Sequence, residues 1–469
     1  MGMPSATSDL DDLRAGLTGR VIGPGNADYD AARSVFNGEI DRCPAAVARC
    51  VDAADVAATI RYARDAGLDL TVRGGGHSFA GAAVSDGAVM VHLGDMNAVS
   101  VDPVGRTARC GGGTTWAQLD AATAEHGLAT PGGIVSHTGV AGLTLGGGFG
   151  WLTNDFGLSC DNLLAATVVT ADGRTLRAAA DEHPDLFWAL RGGGGNFGVV
   201  TEFEFRLHPV GPLVQLGMFF WDLERGRDAL NLAREIIDAL PPRMGALIAG
   251  MNAPPAPSVP PEHHFAPGFA LVVVGFGADS EHARLVDSVR AGLPPLFDMV
   301  APMPYAAVQQ MLDESAPWGV LGYEKAIYLS GLSDTAISVT LDQLPRRQSP
   351  MSFMPIFPIG GAFTAVAEDA SAFGGPRQPV IAFNIAALAH SQELLDADRV
   401  WVRGCWEQLR PLALNAGGYV NFMSEFDDDR VRATFGATKY ARLSEIKATY
   451  DPDNVFHHNP NIKPELAAV

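Results

Sequence analysis

Four glycine clusters place backbone where an anion could approach it: Arg73-Gly74-Gly75-Gly76-His77-Ser78, Gly111-Gly112-Gly113, GVAGLTLGGGFG at 139–150 and GGGGNFG at 192–198. Turns without a Cβ present N–H groups to a pyrophosphate at close range, and several turns distant in sequence can converge on one dinucleotide. The competing reading is a set of tight turns in a β-rich domain. Crowding weighs against it, because 26 of the 53 glycines fall in the 126 residues from Arg73 to Gly198. No cluster is followed by Lys-Ser or Lys-Thr, which excludes a P-loop. Gly146 to Gly150 also lacks the GxGxxG spacing and the acidic partner, about 20 residues on, that a nicotinamide dinucleotide fold uses. His77 closes the first cluster; Ser78, Phe79 and Ala80 beside it supply no second metal ligand, so no metal site is expected.

The elements that would hold these turns flank them. Residues 45–70 read as a strand, an amphipathic helix (VAATIRYARDAG) and the start of a second strand, LDLTV, that runs into the first glycine cluster. VMVHL and VSVD alternate as strands, and Thr115 to Leu119 opens a helix stopped near Gly127. ATVVTADGRTLRAAA reads as a hairpin about a two-residue Asp172-Gly173 turn. In VVTEFEFRL, Val199, Thr201, Phe203, Phe205 and Leu207 share one face and Glu202, Glu204 and Arg206 the other, as in a half-buried strand. Composition changes after His208-Pro209-Val210-Gly211-Pro212, where a domain boundary is expected. A long helix is expected over 394–414, stopping at Asn415-Ala416-Gly417-Gly418. From Tyr419 the tail is polar and dense in Asn, Tyr and Asp, and no internal repeat is found.

The totals bound the function classes. A chain of 469 residues suggests two or three domains. A net charge of −20, four lysines and no basic patch disfavour binding to nucleic acid or an anionic membrane. The N-terminus has neither a basic start nor an apolar core, so no signal peptide is expected, and the stretch Phe265 to Ala278 is too short to span a bilayer. Five cysteines without a CxxC pair argue against a disulfide framework or zinc site and make the cytoplasm the default compartment.

Five segments in order, VRGGGHSFAG, TPGGIVSHTGVAGLTLGGGFGWL, FGLSCDN, DLFWALRGGGGNFGVVTEFEFRLHP and YDPDNVFHHNPNIKP, resemble the FAD-linked oxidases of the berberine-bridge-enzyme type in the vanillyl-alcohol-oxidase superfamily. The similarity runs from about Pro44 to Pro464 and is nearest a bacterial branch like the hydroxynicotine oxidases. It implies an α+β fold: a PCMH-type FAD-binding domain of two α/β subdomains over 1–210, completed by 418–469, and a substrate domain over 211–417 with an antiparallel sheet backed by helices. It also implies FAD joined through its 8α-methyl carbon to His77. Gly74, Gly75, Gly76 and Ser78 would surround the pyrophosphate, with Arg73 among the cofactor-binding residues. Thr138, Gly139, Gly142, Leu143, Gly146, Gly147, Asp161, Asn162 and Val200 would lie near the cofactor, and Asn421, Asn459 and Asn461 would close the site from the tail.

Two departures sharpen the resemblance. Many relatives carry a second, cysteinyl link in a C-P-x-V-G-x-G-G-H pattern, but here Val135 stands at the cysteine and Leu143 at the final histidine. Cys160 is too far along to substitute, so one covalent bond is expected. Thr138 falls where relatives control oxygen access. The implied reaction takes a hydride from an alcohol or amine C–H of a small substrate, such as a sugar, an alkaloid or another secondary metabolite, to flavin N5, with O2 reoxidation to peroxide. A base takes the O–H or N–H proton. The family's Tyr-x-Asn-Tyr reads Tyr419-Val420-Asn421-Phe422 here, leaving Tyr419, whose ordinary pKa near 10 would have to be lowered. Tyr323 and Lys325 share a strand face and are further candidates, with His390 and Glu425 behind them. Tyr450-Asp451-Pro452-Asp453-Asn454 reads first as a helix end and turn. A flavin dehydrogenase using another acceptor and a non-catalytic flavoprotein stay open as alternatives.

Overall fold

The computed structural model describes residues 9–425 and 427–465. Two sheets carry the glycine turns. In the first, Ala46–Arg49 and Leu70–Arg73 flank Val89–His92 in parallel, and Arg20–Ile22 adds an antiparallel edge. Parallel neighbours need a crossover, supplied by helix Ala53–Asp65. Asp52 caps it by accepting from Asp55 N–H, and Val56, Ile60 and Ala63 bury its inner face. Leu70–Arg73 then delivers the chain directly into Gly74.

The second sheet is antiparallel, in the order Val99–Asp102, Thr107–Gly111, Val199–Arg206, Leu163–Val169, Thr175–Ala179. Phe203 and Phe205 are fully buried in it while Glu202 and Arg206 are exposed, as the alternation predicts. The hairpin forms too, but its loop has three residues rather than two. Thr170 N–H donates to Arg174 O and Gly173 N–H to Thr170 O, with Gly173 at φ +80°. A type I turn closed by a left-handed glycine needs that third residue.

A seven-stranded antiparallel sheet follows, ordered Phe297–Pro304, Leu213–Asp222, Pro267–Gly275, Met244–Asn252, Met354–Ile359, Val380–Ala389, Leu321–Leu329. Helices Gly226–Asp238, Asp279–Gly292, Asp334–Gln343 and Gln392–Leu409 back one face, over Phe219, Trp221, Phe269 and Phe383, with Trp401 of the last helix packed among them. The other face looks onto the glycine turns. With both faces covered, Val380–Ala389 is buried at every position. The last of these helices ends earlier than its sequence pattern suggests, at Leu409, and tightens into a 3-10 turn over Arg410–Leu412, because Pro411 has no N–H to continue the ladder. Helix Asp428–Tyr450, kinked at Gly436, and the segment after it return to pack Phe435, Leu443, Ile446 and Ile462 into the core of the second sheet. The α+β class read from the sequence is the one observed. Among the described residues no helix is long and apolar enough to cross a membrane, and the five cysteines are free thiols.

Candidate active site

The glycine turns and the open face of the large sheet enclose a cavity of about 800 Å³. Gly74, Gly75, Gly76, His77 and Ser78 line it, as do Thr138, Gly139, Gly142, Leu143, Gly146, Val200, Tyr419, Asn421 and Asn459. The first and third turns touch backbone to backbone. A Cβ on Gly75 would lie 2.3 Å from Gly139 N, and one on Gly139 would lie 2.4 Å from Gly75 N, so a side chain at either would force the turns apart. The tail clamps onto this arrangement. Asn421 Nδ2 donates to Leu143 O (3.0 Å) and to Tyr419 Oη (2.8 Å), and Gly148 N–H donates to the same phenol oxygen (2.9 Å). Asn459 Nδ2 donates to Gly195 O at 3.0 Å, while its Oδ1 is buried without a partner among the described residues.

His77 sits on the cavity wall with its ring stacked on Phe36 (centroids 4.1 Å apart, 16° between planes) and edge-on to Trp318. Its Nε2 lies 2.6 Å from His137 Nδ1. Burial, with His137 beside it, pushes the His77 pKa down to about 3, since a low-dielectric site disfavours the cation. The imidazole is therefore neutral and keeps a ring lone pair.

The profile of the FAD-binding domain family matches residues 44–179, and that of the berberine and berberine-like family matches 418–463. Over 464 residues the chain is 31% identical to (R)-6-hydroxynicotine oxidase of Paenarthrobacter nicotinovorans, covering 96% of this chain and 97% of that one. The chain belongs to the berberine-bridge-enzyme-like family of FAD-linked oxidases. The solved 6-hydroxy-D-nicotine oxidase of Arthrobacter nicotinovorans superposes with a TM-score of 0.84 at 28% identity, covering 96% of this chain and 98% of that one. Xylooligosaccharide oxidase from Myceliophthora thermophila shares the fold, with a TM-score of 0.84 at 21% identity and coverage of 98% and 100%. The cradle of this berberine-bridge-type chain fits FAD: its glycines leave room that side chains would fill, and the buried Asn459 Oδ1 awaits a donor.

Several predicted residues lie elsewhere. Arg73 turns away from the cavity, donating to Ala32 O at 2.7 Å. Asp161 is a buried ion-pair partner of Arg377 (2.7 and 2.8 Å), and Asn162 bonds Phe156 O, Leu158 O and His208. Both hold the 156–162 turn in place rather than lining the cavity. Gly147, at φ +120°, packs against Phe373, and Asn461 lines a smaller neighbouring pocket.

Tyr323 and Lys325 do share a face, but it is the helix-covered one. Tyr323 Oη donates to Glu425 and accepts from Arg403 Nε, each at 3.1 Å, while Lys325 Nζ lies 4.7 Å from the Trp406 ring centre and 3.9 Å from Glu425. Tyr323→Phe and Lys325→Met are expected to leave kcat/KM within about threefold of wild type, since neither removes a group at the reacting atoms. A larger loss in steady-state assays would contradict this placement. His390 is exposed at the cavity rim and Glu425 lies outside it.

The residue between those candidates was missed. Glu324 faces the cavity, only 3% exposed, and accepts from Asn384 Nδ2 at 2.8 Å. Glu324 Oε1 and Asn384 Oδ1 are buried without partners among the described residues. Burial pushes the Glu324 pKa up to about 8, into the range of a working general base. A signal was present: Asn384 is the lone polar side chain in the apolar strand AFNIAALA. Tyr419 is the opposite case. Burial raises its phenol well above the ordinary value, so it is a neutral hydroxyl and no base.

Proposed function

We propose that this oxidase carries FAD on a single bond to His77 and oxidises an apolar molecule bearing one hydroxyl or amine, with O2 as electron acceptor and peroxide as product. In this reading residues 1–210 and 418–469 hold the cofactor and 211–417 shape the substrate pocket. FAD, when bound, supplies the two-electron acceptor for the substrate hydride. Glu324, as carboxylate, takes the O–H or N–H proton, Asn384 orients that carboxylate, and the Tyr419 hydroxyl orients the substrate. Val135 offers no thiol, so a second link to the cofactor does not form.

The observation that carries the substrate class is the sheet wall of the cavity: Pro355, Phe357 and Ala386 stand on the strand that carries Asn384 and the one beside it, and Leu247, Val272 and Met218 continue the wall across the next strands. A sugar would bury several hydroxyls there without partners, at about 1–3 kcal/mol each. An aromatic or aliphatic skeleton with one polar group matches one Glu–Asn pair.

Three measurements test the proposal. Peroxide release is expected with aromatic alcohols or cyclic amines and not with oligosaccharides; the reverse pattern would overturn the substrate class. A reduced flavin that persists for minutes in air would favour a dehydrogenase instead. Acid precipitation is expected to leave wild-type protein yellow and a His77→Ala pellet colourless, and a colourless wild-type pellet would overturn the histidyl bond.

A further inference from the structure

We propose that His137 is the positioning residue that makes His77 a nucleophile: it fixes the His77 tautomer and accepts the proton released as the bond to the cofactor forms. The inference rests on the proposed histidyl link. Its geometric basis is the crossing of the two glycine turns. They run antiparallel through the Gly75–Gly139 contact, which brings residue 77 opposite residue 137.

A neutral imidazole carries one N–H and one lone pair. At 2.6 Å, one hydrogen lies between His77 Nε2 and His137 Nδ1. If His137 donated it, His77 would hold its own hydrogen on Nδ1 and have no free nitrogen to bond carbon. If His77 Nε2–H donates, Nδ1 is left with an unshared pair, while Phe36 stacking holds the ring plane. Bonding through Nδ1 without loss of the Nε2 proton would leave a buried imidazolium, the form this site disfavours. Both rings are half-buried, and the proton passes to His137 Nδ1 because that atom already faces Nε2.

The step balances without an added reductant. One C–H of the 8α-methyl group and the imidazole N–H break, and the C–N bond forms. Two protons leave, that of the imidazole by way of His137. Two electrons stay on the flavin ring system until O2 removes them as peroxide, the same acceptor as in the proposed reaction.

The test compares wild type, His137→Ala and His137→Gln after addition of FAD, following flavin that survives acid precipitation against total bound flavin. Gln keeps a hydrogen-bond acceptor and bulk but cannot take the proton, so it decides the matter should the Ala variant fail to fold. Both variants are expected to bind FAD, seen in the visible spectrum, yet to form acid-stable flavin at least about 100-fold more slowly. Imidazole in the buffer is expected to speed attachment again in His137→Ala, which a purely structural role for the ring would not produce. Wild-type attachment rates in flavin-loaded variants, or no response to imidazole, overturn the role of His137 alone. Acid release of flavin from wild type overturns the histidyl link itself.

Discussion

Glu324→Gln is expected to lower kcat/KM by about 100- to 10,000-fold with FAD binding intact, the usual weight of a general base. Glutamine keeps the shape and can still accept from Asn384, so what is lost is the ability to take a proton. The pH profile separates this from a packing defect. The wild-type carboxyl, held at about 8 by burial, is protonated and inactive as a base below that value. Wild-type kcat/KM should therefore climb as pH rises toward about 8 and then level, while the Gln variant loses that limb. Stability moves the other way. The folded-state pKa lies above the ordinary 4.5, so the folded chain keeps a proton that the unfolded chain has released. This group's contribution to stability is complete below 4.5 and is lost as pH rises toward about 8. A Gln variant with near-normal kcat/KM, or with an unchanged acid limb, would remove Glu324 from the chemistry.

The contrast between Glu324 and its neighbours marks how far sequence reading reached. Period-two alternation places Tyr323 and Lys325 together and Glu324 opposite, but it does not say which face of a strand buried on both sides meets the cavity. That is decided by helix Gln392–Leu409, which covers the odd-numbered face of Leu321–Leu329 through Tyr323 and Ile327. The glycine turns were legible because their chemistry is local: lack of a Cβ is a property of one residue wherever it folds. The surroundings of His77 were not, since Phe36, His137 and Trp318 come from three distant segments and meet only through the fold. Asp161 shows the same limit from the other side. Its motif suggests a cofactor contact, yet its partner is Arg377, 216 residues away.

Lys447→Met is expected to destabilise the protein by about 3–5 kcal/mol, the range for breaking a fully buried ion pair, and to lower Tm by about 3–5 °C. Lys447 and Asp451 are both wholly buried, one helical turn apart. The ammonium uses all three of its protons, donating to Asp451 (2.6 Å), Asn196 O (2.7 Å) and Phe456 O (2.9 Å). Asp451 in turn accepts from Val455 and Phe456 N–H. The stretch Tyr450-Asp451-Pro452-Asp453-Asn454 is thus a helix end and turn, as its residue types suggest, but one wired to the fourth glycine cluster through Asn196. Methionine fills the space and leaves an uncompensated carboxylate and two carbonyls without donors. A double variant, Lys447→Met with Asp451→Leu, removes the stranded charge and should regain part of the loss, but not the bonds to Val455 and Phe456. Thermal melts of the three proteins test this, and a single variant melting with wild type would show that the pair does not hold the tail. Because Asn459 follows on that same segment and reaches Gly195, less complete loading with FAD should accompany the lower Tm, linking a buried lysine far from the reacting atoms to the cofactor cradle.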